Sequence, residues 1–98
     1  MEFAEPYPNR FTIYSKSGCH NCSKLKKILT DSAIFFLEIQ CDEYLIEDKE
    51  NFLSFIENKI GKSYKTFPMV FFDGKFIGGY NETIEYIETI LLSFEENF

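Results

Sequence analysis

Two cysteines three residues apart, Cys19 and Cys22, stand between a β-rich run and a helical stripe, and this placement restricts the fold more than any other feature of the chain. Phe11 to Ser15 (FTIYS) is β-branched and aromatic and predicts a strand that ends in the turn-like Lys16-Ser17-Gly18. Directly afterwards, Cys22, Leu25, Ile28 and Leu29 recur at helical spacing, with Lys24, Lys26 and Lys27 on other faces. Strand, turn and helix follow one another with the dithiol at the junction.

The rest of the chain extends this pattern. Ile34 to Cys41 (IFFLEIQC) predicts a second, mostly buried strand. The acidic run Asp42 to Glu50 opens a further helix that buries Phe52, Phe55, Ile56 and Ile60 and stops at Gly61. Phe67-Pro68 precedes a strand over Met69 to Phe72, and Asp73-Gly74 joins it to Lys75 to Ile77 as a hairpin. Gly78-Gly79 breaks that run, and Asn81 is placed as the N-cap of a last helix with the stripe Ile84, Ile87, Leu91 and Phe94. Residues 1–9, with Pro6 and Pro8, read as an extended lead-in. The order βαβαββα implies an α/β fold with one four-stranded mixed sheet flanked by helices. The 98 residues suffice for a single domain.

Charge and composition exclude some functions. A formal net charge of −6 argues against binding nucleic acid through its phosphates. No run approaches the roughly 20 apolar residues that span a bilayer, so no membrane association is expected. Three cysteines, two of them close together, do not form the disulfide framework of a small secreted domain. A reducing, cytoplasmic location and a monomeric state are the expectations.

Cys19 at a helix start meets unpaired backbone N–H groups and the positive end of the helix dipole, which favour its thiolate. Cys22 lies about one turn deeper on the same face, placed to attack a mixed disulfide formed at Cys19. That gives Cys19 the role of nucleophile and Cys22 that of resolving thiol. Half of a zinc site is the alternative, but four ligands are usual and only His20 and Cys41 remain, so no metal is expected. An incidental or structural pair is the blander alternative. Cys41, at the end of the second strand, reads as a buried structural thiol, with a regulatory disulfide to another chain as the sharper option.

Taken together, Lys16-Ser17-Gly18-Cys19-His20-Asn21-Cys22, Thr66-Phe67-Pro68 and Gly78-Gly79-Tyr80-Asn81-Glu82 resemble the glutaredoxins, of the thioredoxin-like fold, over about residues 11 to 92. The resemblance is to the dithiol type, with an unusual Cys-His-Asn-Cys centre. It implies a glutathione-dependent thiol-disulfide oxidoreductase, with glutathione as co-substrate and disulfide-bearing or glutathionylated proteins as clients. It also implies a cis Phe67–Pro68 bond whose flanking backbone pairs with glutathione. Lys16, His20 and Thr66 join Phe67 and Pro68 at that site, and Gly79, Tyr80, Asn81 and Glu82 hold the γ-glutamyl end. Two features depart from the family: His20-Asn21 replaces the frequent Pro-aromatic pair, and Glu82 replaces the usual Asp. His20 is either a group that stabilises the thiolate when protonated or an exposed loop side chain. Two other functions stay open, a carrier of a [2Fe-2S] cluster shared between two subunits and a thiol-transfer partner dedicated to one client. Tyr14, Tyr64 and Tyr80 are candidate exposed aromatics near the site, each of which can be core, rim or contact surface.

Overall fold

The computed structural model describes the backbone of residues 1–96 and the side chains of residues 1–90. Strand β1 (Phe11–Ser15) leads through a short turn into helix α1 (His20–Asp31), and strand β2 (Phe36–Gln40) follows. Helices α2 (Asp42–Glu47) and α3 (Lys49–Ile60) precede the hairpin of β3 (Met69–Phe72) and β4 (Lys75–Gly78), and helix α4 (Tyr80–Glu96) ends the fold. The four strands form one mixed sheet in the order β2-β1-β3-β4. β1 pairs parallel with β2 and antiparallel with β3, and β3 pairs antiparallel with β4.

Because β1 lies inside the sheet and both faces are covered, all five of its residues are buried. Their alternation sorts the core into two layers. Phe11 and Ile13 pack with Val70, Leu25, Leu29 and Ile87 on one face. Tyr14 packs with Met69, Phe71, Phe52 and Ile56 on the other, where Cys22 and Cys41 also lie. The hairpin is as expected, with both Asp73 (φ 50°) and Gly74 (φ 76°) in the left-handed region that a two-residue turn of this kind uses.

Several expectations are corrected. β2 is an edge strand, so it is only partly buried, and it begins at Phe36 rather than Ile34. Phe35, just outside it, is 63% exposed and lies under the Arg10 guanidinium. The single helix expected after Cys41 is two helices. Asp48 leaves helical geometry (φ −151°, ψ 47°); its N–H closes α2 on the Tyr44 carbonyl and its own carbonyl accepts the Phe52 N–H that opens α3. The bend lets Tyr44 and Phe52 meet, their ring centroids 5.2 Å apart. No glycine or proline marks it in the sequence. Tyr14 is fully buried, not an exposed aromatic, and its hydroxyl donates to the Ala4 carbonyl at 2.6 Å.

That last bond shows what the N-terminal residues do. The lead-in is strapped to the core: Phe3 inserts among Tyr44, Phe52 and Phe55, the Ala4 N–H donates to the Tyr44 hydroxyl, and Glu5 pairs with Lys59. In α4, Ile87 is buried and Ile84 half-buried. The side chains of Leu91 and Phe94 lie outside the described residues.

Candidate active site

Cys19 and Cys22 are joined in a disulfide, their α-carbons 5.2 Å apart. Their environments differ. Cys19 is the N-cap residue of α1, half-exposed, and its sulfur accepts the Cys22 N–H at 3.1 Å. An orphan amide of the first helical turn is thus aimed at the sulfur that would carry negative charge on reduction. Cys22, one turn on, is 1% exposed and belongs to the core. An outside thiol can reach the first sulfur far more readily than the second.

The loop that delivers Cys19 is held from below. The Asp42 carboxylate accepts the Ser17 N–H at 2.9 Å through Oδ1 and the Ser17 hydroxyl through Oδ2, and the Asp42 N–H donates to Gln40 Oε1. At the strand end, the buried Ser15 hydroxyl donates to Glu38, which also pairs with Lys26 at 2.6 Å. Burial alone would raise the Glu38 carboxyl; the hydrogen bonds from Lys26 and Ser15 outweigh it and hold its pKa below the usual range. The two Ser17 hydrogen bonds, helped by Gln40, hold the Asp42 carboxyl low as well.

A lowered folded-state pKa makes the Asp42 clamp a source of stability that is acid-sensitive. Its contribution is complete above about pH 5 and is lost as pH falls through the lowered value, because the unfolded carboxyl, near 3.9, takes up its proton first. Asp42→Asn is therefore expected to unfold at lower urea than the wild type at pH 7. The gap should close as the two are titrated towards pH 2.5. Urea midpoints across that range measure it, and a gap independent of pH would contradict the clamp.

The remaining expected site residues form two groups of contacts. In the first, the Phe67–Pro68 bond is cis, and Phe67 and Pro68 are both buried. The Lys16 ammonium lies 5.6 Å from the Phe67 ring centroid. Lys16 and Phe67 line a cleft of about 190 Å³ together with Lys49, Lys65, Leu45 and Leu53. Those last four residues come from α2, α3 and the loop before Thr66, and no local pattern links them to the dithiol. In the second, which adjoins Pro68, the Gly78-Gly79 turn opens α4. The helix starts at Tyr80, so Gly79 rather than Asn81 is its N-cap. Glu82 reaches back to accept the Gly79 N–H at 2.8 Å, the Glu half of a capping box, and the Thr83 hydroxyl donates to the Gly79 carbonyl. The Lys24 ammonium lies 5.2 Å from the ring centroid of Tyr80, which is half-buried. Asn81, His20 and Thr66 are exposed side chains.

Cys41 lies in the same core layer as Cys22 but takes no part in the disulfide. It is fully buried and unpaired, and burial foremost pushes its thiol up to about 12, so it stays protonated. Among the described residues no group of three or more His, Cys, Asp or Glu side chains is arranged to hold a metal ion, and no helix is long and apolar enough to cross a membrane. A larger apolar cleft, about 360 Å³, lies at the far end of β1 between Arg10, Phe35 and Phe72, away from the dithiol.

A mixed sheet that delivers a disulfide-forming Cys-x-x-Cys pair to the first turn of a helix, with a cis-proline just ahead of β3, defines a dithiol protein of the thioredoxin-like fold. The family model for glutaredoxin matches residues 11–77, and the chain belongs to the glutaredoxin family. Curated relatives include mitochondrial glutaredoxin-2 of Mus musculus, 32% identical over 75 residues, which cover 76% of this chain and 46% of that protein. Another is glutaredoxin 1 of Rickettsia felis, 34% identical over 67 residues, covering 68% and 61%. The chain thus spans only about half to three fifths of the length of these relatives. Among solved structures, glutaredoxin 1 of Francisella tularensis complexed with cacodylate superposes with a TM-score of 0.71 at 27% identity, over 84% of this chain and 95% of that one. A buckwheat glutaredoxin-glutathione complex gives 0.68 at 27% identity, over 83% and 70%.

Proposed function

We propose that this chain uses glutathione to reduce protein disulfides and to strip glutathione from mixed disulfides, with Cys19 as nucleophile and Cys22 as resolving thiol. The observation that carries the reading is the asymmetry of the pair: a half-exposed helix-capping cysteine bonded to one that is 1% exposed. The buckwheat relative, solved with glutathione, supports the choice of reductant.

Two routes follow from that asymmetry. In the first, the Cys19 thiolate attacks the glutathione sulfur of a glutathionylated client, and the client thiolate leaves. A second glutathione thiolate then attacks the glutathione sulfur now bound to Cys19, releasing glutathione disulfide and regenerating the Cys19 thiolate. In the second, Cys19 attacks a client disulfide, one client sulfur leaves as thiolate and the other stays bonded to Cys19. Cys22 then attacks the Cys19 sulfur and frees the second client thiolate. The product is the Cys19–Cys22 disulfide present in the structure, which two glutathiones return to the dithiol. Lys16 supplies a cation for a glutathione carboxylate, the backbone beside cis-Pro68 pairs with the cysteinyl unit, and the turn from Gly79 to Glu82 receives the γ-glutamyl end.

The routes separate on one substitution. Cys22→Ser is expected to keep deglutathionylation of a glutathionylated peptide within about threefold of the wild type, because only Cys19 takes part. Reduction of a client disulfide should slow markedly in the same variant. Coupled assays on both substrates measure this, and loss of deglutathionylation in Cys22→Ser would refute the division of labour.

A further inference from the structure

Tyr64 lies in the loop between α3 and β3 and is half-buried. Its ring packs edge-on against Phe76 of β4, with centroids 4.9 Å apart, and this contact turns the hydroxyl towards the Gly78-Gly79 turn. The approach is close: a β-carbon at position 79 would stand 2.8 Å from the Tyr64 oxygen. The same point lies 3.4 Å from the Glu82 Oε1 and 3.6 Å from the Pro68 carbonyl oxygen. Three oxygens from three separate segments therefore converge beside Gly79: a phenol, a carboxylate and a main-chain carbonyl.

Such a cluster suits a cation that can donate several hydrogen bonds. Its members are unequally occupied. The Glu82 Oε1 already accepts the Gly79 N–H, whereas the Tyr64 hydroxyl has no hydrogen-bond partner among the described residues. Burial and then the Glu82 charge push the Tyr64 pKa up, so the phenol stays neutral and does not add a second negative charge.

We infer that Tyr64 is a specificity-determining residue of the exchange site, whose hydroxyl accepts a hydrogen bond from the α-ammonium of the γ-glutamyl unit beside Glu82. The inference rests on the glutathione reading above. A β-carbon at position 79 would displace the phenol, so the arrangement needs the glycine there.

Tyr64→Phe tests this, because it keeps the ring against Phe76 and removes only the hydroxyl. The substrates are one peptide carrying, as mixed disulfides, glutathione, α-N-acetyl-glutathione or 2-mercaptoethanol. For the glutathione form, KM is expected to rise about ten- to a hundredfold with kcat unchanged, the effect of losing one hydrogen bond to a charged group. The acetylated and mercaptoethanol forms should be turned over equally well by variant and wild type. An unchanged KM, or a shift of the same size on all three substrates or on the acetylated form, would overturn the inference. A wild type that prefers glutathione to mercaptoethanol in that same experiment isolates the failure to Tyr64. A wild type with no such preference would bring down the glutathione reading and this inference together.

Discussion

Replacing Cys19 by serine is expected to abolish disulfide exchange, by both routes, to the uncatalysed background, while the reduced fold keeps nearly all of its stability. A serine hydroxyl forms no disulfide and is not ionised near neutral pH, so neither substrate has a nucleophile to meet. The fold should survive because of where Cys19 sits. It is the N-cap of α1, and its sulfur accepts the Cys22 N–H. Serine is among the preferred residues at that position and offers an oxygen to the same amide, so the change in stability should lie within about 1 kcal/mol of the reduced wild type. Turnover assays and urea unfolding under reducing conditions give the two readings. Residual turnover in Cys19→Ser, dependent on Cys22, would show that the buried sulfur can act as nucleophile and would overturn the proposed roles.

Gly78→Ala is expected to cause the largest loss of stability of any single methyl added near the site. Gly78 has φ +141°, a backbone conformation that side-chain-bearing residues rarely adopt. Its β-carbon would also stand 2.6 Å from Glu82 Cβ and 2.7 Å from Cγ. Those atoms are close to the α4 backbone and cannot swing aside, unlike the tip of a long side chain. Either the first turn of α4 or the end of β4 must move. Strain and overpacking each cost on the order of 1–3 kcal/mol, so a combined loss of about 3 kcal/mol is expected. Any shift of Glu82 also releases the Gly79 N–H from its cap, so KM for a glutathionylated peptide should rise in the fraction that folds. Urea midpoints measure the first effect. A loss below about 1 kcal/mol would mean that the turn relaxes more freely than its packing suggests.

Much of the fold was legible in the sequence because it rests on local signals. The period of the apolar residues in Cys22, Leu25 and Leu29 marks a helix face wherever that helix packs. Asp73-Gly74 forms its turn from the conformations of two residues alone, and Gly61 ends α3 in the same way. The cis bond at Pro68 was legible only through resemblance to a family, since nothing in the dipeptide itself requires it. Cys41 reads as a buried thiol because a small apolar residue at the end of a β run usually packs inside, and it does.

The misses share a cause. Whether β2 lies at an edge or in the centre depends on which strand lies beyond it, and the β2 residues carry no record of that. The break at Asp48 follows from packing Tyr44 and Phe52 against each other, not from a breaker in the acidic run. Residues 1–9 lack periodicity, so their anchoring through Phe3 and the Tyr14 hydroxyl could not be read from pattern.

The dithiol divides along the same line. The sequence alone determined that two sulfurs stand one turn apart at the head of a helix, because a strand, a turn and a helical stripe are consecutive along the chain. Only the tertiary structure decided what surrounds them: Asp42 clamping Ser17 from 25 residues away, three lysines drawn around Phe67, and the Tyr64 hydroxyl set against Gly79. Local periodicity encodes which face of an element is apolar, whereas these contacts depend on how separate elements are placed in space. That placement is a property of the packed chain as a whole.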